Sequence, residues 1–258
     1  QGTQTVTVVF VQVPQTAVTF ADANLEAAVR GAIDKPAGDL YLTDLVGRDP
    51  EFTELDAYSS QIASLQGLEH CADLTFLNLS GNPGITSLAP VAPLVNLQIL
   101  ILSGTQPVSL EPIGDLHHLF GLVLDGCGVS DWSFLAPLTE LWVLSVGDNG
   151  VSDLSFLANR TGLWGLSIAD NDVTDPSILS TLTNLEHLEV SSNPLATAGL
   201  GFAAPLVNLT YFQADDIGVS DLTPLAGLGN LEMLYLEDND ITDLAPLLAN
   251  TGLASGDD

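Results

Sequence analysis

The stretch that decides the fold is Leu141-Trp-Val-Leu-Ser-Val-Gly-Asp-Asn-Gly-Val-Ser-Asp-Leu-Ser-Phe-Leu-Ala-Asn-Arg-Thr-Gly162, after which the same apolar pattern begins again at Leu163. In one-letter form it is L-x-x-L-x-V-x-x-N-x-V-x-D-L-x-x-L. Rows begun at Phe52, Leu74, Leu97, Leu119, Leu141, Leu163, Leu185, Leu209, Leu231 and Leu253 bring apolar residues into common columns. Successive starts lie 22, 23, 22, 22, 22, 22, 24, 22 and 22 residues apart. A period this steady means one unit stacked on copies of itself, each touching only its neighbours.

The columns follow from the physics of one row. Columns three to seven form a short strand that pairs in parallel with the next row, so columns four and six point into the core. Column nine holds Asn82, Asn149, Asn171, Asn193 and Asn239. Its amide turns inward to serve the backbone of the bend, because a buried polar group without a partner costs about 1–3 kcal/mol. Ser60, Thr105, Cys127 and Ile217 replace it elsewhere, and Ile217 has no polar atom to offer, so a local departure is expected there. Val or Ile at column eleven and Leu at column fourteen build the convex wall. Segments such as Ser133-Phe-Leu-Ala-Pro-Leu138 and Thr223-Pro-Leu-Ala-Gly-Leu228 then carry one helical or 3-10 turn. The expected fold is a leucine-rich repeat: a right-handed α/β solenoid with a parallel sheet on the concave face and short helical or 3-10 turns on the convex side.

Three regions are expected. Residues 1–19 are an N-terminal strand or linker, with the β-branched run over 3–13 closed by Pro14. Residues 20–51 are a helical N-terminal cap: Asp22 starts a helix whose Leu25, Val29 and Ile33 share a face. A stack needs such a unit over its first apolar edge. Residues 52–258 are the repeats, about nine, with the last row barely begun. No amphipathic closing unit follows, so the final edge is expected to be open or covered by residues beyond this sequence.

Charge excludes several functions. With 33 acidic and 4 basic residues the net charge is −29, which repels nucleic acid and anionic lipid. Such a surface keeps a protein hydrated in a salty medium, and it also attracts basic partners. Cys71 and Cys127 read as buried small hydrophobes rather than a disulfide, and no C-x-x-C motif offers a thiolate zinc site. No apolar run reaches the roughly 18 residues of a membrane span. Gln1 opens the chain with no signal-peptide pattern, which fits a mature or an excised product equally.

Phe20-Ala-Asp-Ala-Asn-Leu-Glu-Ala-Ala-Val29, Leu55-Asp-Ala57 and Ile62-Ala-Ser-Leu-Gln-Gly-Leu68 resemble the helical cap and first repeats of bacterial internalin-type leucine-rich repeat proteins. The 22-residue row with Asp at column thirteen (Asp131, Asp153, Asp175, Asp221, Asp243) is similar to theirs as well. The resemblance implies an exported or surface-anchored protein that binds another protein through its concave face.

Columns two, three, five, seven and eight face that surface. Column two carries Phe120, Trp142 and Trp164 in consecutive rows, and parallel neighbours about 4.8 Å apart should align them as a continuous aromatic ladder. Tyr211 and Tyr235 extend it. Aromatic anchors dominate binding energy at interfaces, although rings on a sheet can simply pack on one another. Beside them runs an acidic track of Asp125, Asp148, Asp170, Glu189, Asp215 and Glu237, in which His187 stands alone. The track selects a protein with a basic patch; Ca2+ held by carboxylates of successive rows is the alternative cofactor to none. Trp132 and the column-thirteen Asp residues read as structural, and His117-His118 lacks a third metal ligand. No Gly-x-Ser-x-Gly or Gly-rich phosphate loop occurs, so no enzyme is expected. The expected function is protein binding by an extracellular or cell-surface monomer, with a carbohydrate-binding surface or a structural spacer as rivals.

Overall fold

The computed structural model describes residues 15–250 and residue 253. The strand expected over residues 3–13 and the residues after Leu253 lie outside the described residues. Strand β1 (Ala17–Val18) pairs antiparallel with β2 (Leu40–Tyr41), with helix α1 (Ala23–Ala32) between them and α2 (Leu42–Leu45) after. Nine three-residue strands follow among the described residues: β3 (Glu54–Asp56), β4 (Phe76–Asn78), β5 (Ile99–Ile101), β6 (Gly121–Val123), β7 (Val143–Ser145), β8 (Gly165–Ser167), β9 (His187–Glu189), β10 (Tyr211–Gln213) and β11 (Met233–Tyr235). They form one parallel sheet in sequence order, the concave face of a right-handed leucine-rich repeat solenoid.

Register confirms the rows. Column four aligns Leu55, Leu77, Leu100, Leu122, Leu144, Leu166, Leu188, Phe212 and Leu234, and all but Leu234 are buried. Each strand returns through a 3-10 turn, Ser133–Leu135 and Thr223–Leu225 being two of them. The column-thirteen carboxylates start these turns. Asp131, Asp153, Asp175, Asp221 and Asp243 each accept the backbone N–H two residues on, at 2.8–3.0 Å.

The column-nine amides close the bends. Asn171 Oδ1 accepts from the N–H of Val151 (2.8 Å) and Asn149 (3.1 Å), while Nδ2 donates to the carbonyls of Val146, Ile168 and Ala169. Asn82, Asn149, Asn193 and Asn239 repeat the pattern. Each amide therefore stitches its own row to the one before. Thr105 Oγ1 and Cys127 Sγ both donate to the Leu102 carbonyl instead. Ile217 departs less than expected: it is buried, its row stays in register, and Asn239 of the next row accepts its N–H. The cost falls one row earlier, where the Leu195 N–H turns back to the Asn193 carbonyl.

Helix α1 lays Leu25 and Val29, both fully buried, against the first strand of the stack. Asp22 accepts from the N–H of Asn24 and Leu25 with one oxygen and of Ala63 and Ser64 with the other. Burial alone would raise its pKa, but these four donors outweigh it and hold the carboxyl below its usual range. Both cysteines are free and buried; burial, with Glu69 nearby, pushes the Cys71 thiol up to about 12.

Two outcomes are expected. Asn171→Leu leaves three carbonyls and two N–H groups without their amide and lowers stability by about 2–4 kcal/mol in urea titrations. Because the folded pKa of Asp22 lies below its unfolded value, its contribution is complete above pH ~4 and is lost as pH falls through the folded value. Acid melts of wild type and Asp22→Asn should therefore converge below that range and diverge above it.

Candidate binding face

The sheet face shows two aromatic runs instead of one ladder. Phe120 and Trp142 pair with ring centroids 5.7 Å apart. Among the described residues no ring contact joins Trp142 to Trp164. Trp164 instead packs on His187 at 4.5 Å, His187 stacks on Tyr211 at 5.5 Å, and Tyr211 meets Tyr235 at 5.4 Å. Gly165 leaves that indole room over the strand. With no side chain in column three of that row, the Trp164 indole can lean across β8 towards His187, whereas Val143 occupies the same place beside Trp142. His187 is thus the central ring of the second run rather than a solitary residue among acids. Trp142 and Trp164 are 60% and 41% exposed and Tyr235 41%, so the rings do not simply cover one another.

The two runs border different hollows. Phe120 and Trp142 overlook a groove of about 1120 Å3 along the incoming edge of the strands, with Gln98, His118 and Glu140. Trp164, His187 and Tyr211 surround a smaller depression of about 340 Å3 over Gly165. A third hollow, about 820 Å3, lies among the convex turns beside Trp132 and Phe156, which stack at 4.7 Å. There Arg160 stands in a column that holds Leu138 in the row before, and it donates to the carbonyls of Phe156, Leu138 and Leu135.

The acidic track divides by cause. Asp148, Asp170, Asp216 and Asp238, all in column eight, have φ of +51, +53, +49 and +55°, and Gly81, Gly104 and Gly126 in that column are also left-handed. Gly, Asn and Asp are the residues that tolerate this conformation, so the backbone itself selects for Asp there. Asp125 bridges three rows, accepting from Ser103 Oγ, Ser145 Oγ and the Gly147 N–H. Asp215 accepts from Gln213 Nε2 at 2.8 Å and from the Glu237 N–H at 2.6 Å. Glu189 accepts from Ser167 Oγ at 2.9 Å through Oε2. Glu237 is exposed at the last described strand edge. Burial, then the charges of Glu189, Tyr235 and Asp215, push the Tyr211 phenol upward, so it stays protonated and donates to Gln213.

Among the described residues no group of three or more His, Cys, Asp and Glu is placed to hold a metal ion. Among the described residues no helix is long and apolar enough to cross a membrane. Gly165 and the pairing of Trp164 with His187 were missed from sequence. The available signal was a glycine inside a strand, which marks close approach by another group.

Asp170→Asn should leave the melting temperature within about 1 °C of wild type, because Asn accepts the left-handed backbone. Asp170→Val should cost about 1–2 kcal/mol at the same position. Equal losses for both would show that charge, not backbone, holds that residue in place.

No family model and no curated protein matches the chain. Solved structures do. A crystallised internalin (inlF) from Listeria monocytogenes is 27% identical, with 91% of this chain and 74% of that one covered at a TM-score of 0.75. Internalin C2 (inlC2) from the same organism is also 27% identical, covering 93% of this chain and 96% of that one at 0.64.

Proposed function

We propose that this chain, an internalin-type leucine-rich repeat protein, is a recognition module that binds another protein on its sheet face, outside the cell or at its surface, as a monomer and without catalysis. The observation that carries the reading is the pair of exposed aromatic runs set among carboxylates. Aromatic rings that stay partly exposed on a rigid sheet provide contact area at low entropic cost. The rim carboxylates favour a partner with a basic patch and speed its encounter. Phe120 and Trp142 serve as anchors at one edge, and Trp164, His187, Tyr211 and Tyr235 form the central strip. Of the acids, Glu189 and Glu237 are the stronger candidates for direct contact, because Asp125 and Asp215 already take donors on both oxygens and Asp148 and Asp170 answer a backbone demand.

The test compares wild type with the Trp142→Ala/Trp164→Ala double variant. Partners recovered from the native environment are identified and their affinities measured on both proteins, and a melting curve establishes that the variant is folded. Loss of at least tenfold in affinity is expected, since two interface anchors are each worth more than about 1 kcal/mol. Equal affinity overturns the reading. Retention of glycans rather than proteins on an array, lost in the double variant, replaces it with sugar stacking.

A further inference from the structure

The depression over Gly165 differs from the rest of the face in shape and in field. Its floor is β8 backbone, and its walls are Val143, Trp164, His187, Glu189 and Tyr211. A Cβ placed on Gly165 would meet Val143 Cγ2 at 3.6 Å and His187 Cβ at 3.9 Å, so the floor between these neighbours is about one methyl group wide and the depression opens above it. The Trp164 indole stands over one side. Glu189 also lines it, its Oε2 accepting from Ser167 Oγ, and among the described residues Oε1 accepts no hydrogen bond.

The field there is negative. Glu189 and Asp215 both act on the Tyr211 ring, and Glu186 lies in the same row as His187. None of the four basic side chains reaches the face. Arg30, Lys35 and Arg48 precede the first row and are bonded there, to Glu26, Asp44 and the Ile33 carbonyl, while Arg160 is tied to convex-side carbonyls. The molecule thus has an aromatic plane, a carboxylate and a depression of about 340 Å3 together, and no Lys or Arg of its own to fill it.

We propose that this depression receives a single arginine side chain of the partner protein, its guanidinium lying on the Trp164 indole and donating to Glu189. The inference rests on the protein-binding reading and names the chemistry of its central contact. A planar guanidinium suits the site better than an ammonium: it stacks on an aromatic plane while offering an edge of paired N–H donors to a carboxylate. Lysine can supply only the charge.

The test titrates the protein with N-acetyl-arginine amide and its neutral isostere N-acetyl-citrulline amide at about 0.15 M salt, where diffuse attraction to the acidic surface is screened. Amide NMR shifts are the readout. The arginine probe should saturate with a dissociation constant on the order of 1–10 mM, shifting residues of β8, β9 and β10, and citrulline should bind at least tenfold more weakly. Gly165→Ala makes only ordinary van der Waals contacts and keeps the fold, and Gly165→Val fills the gap further. Binding should weaken progressively through that pair and fall about tenfold in Glu189→Gln, while Val108→Ala, an exposed residue away from the face, leaves it unchanged. Citrulline binding as well as arginine, shifts spread over all the acidic rows, a response to a methyl glycoside with none to arginine, or indifference to both Gly165 substitutions each overturn the proposal. If the probe fails while a protein partner still depends on Trp142 and Trp164, only this inference is lost. If the partner ignores those rings yet the probe binds, only the functional reading is lost.

Discussion

A parallel stack of three-residue strands creates a problem at every bend: backbone N–H and carbonyl groups are turned inward where no strand reaches them. The column-nine amide answers it, since one side chain both accepts and donates, and it bonds its own row and the row before at once. Asn171 alone serves five backbone groups drawn from two rows. That sharing explains how the structure carries an Ile at position 217. The Ala214 carbonyl of that row receives Asn239 Nδ2, and the preceding Val190 carbonyl receives Asn193 Nδ2, so the missing amide removes duplicate donors more than sole ones. The row before has two extra residues, and its Leu195 N–H finds a local acceptor. Redundancy between neighbours is what lets the repeat drift in sequence without losing register.

The architecture was legible because each row contacts only adjacent rows, so a column of identical chemistry projects directly onto a line in space. Core columns, the 3-10 turns and the burial of both cysteines followed from that projection. Side-chain direction on the face did not. Trp164 meets His187 over the open space at Gly165, whereas Phe120, which has Gly121 beside it, stays on Trp142, so a neighbouring glycine gives room without setting the direction. Column arithmetic places Cβ atoms about 4.8 Å apart, but an indole reaches further than that and takes the open side.

The acidic track shows a different limit. Column eight looked like a binding signature because its carboxylates recur; its φ values show that recurrence is first a conformational requirement. Glycine meets the same requirement at 81, 104 and 126, and serine at 59 and 192. A pattern can therefore be periodic and exposed without being selected for contact.

Yet conformation does not account for the charge itself. Asparagine suits a left-handed residue as well as aspartate does and brings no repulsion between rows. The chain nevertheless places Asp at 148 and 170 in the bends of adjacent rows, and again at 216 and 238, where like charges of neighbouring rows repel. Its few cations are spent elsewhere, on the N-terminal unit and the convex turns, instead of neutralising this side. The backbone explains why those positions hold a short polar residue; it does not by itself require that the residue be acidic. The same division separates Asp125, whose carboxylate is consumed by three donors from adjoining rows, from Glu189, which takes one donor, Ser167 Oγ, and lines the depression beside the Trp164 indole.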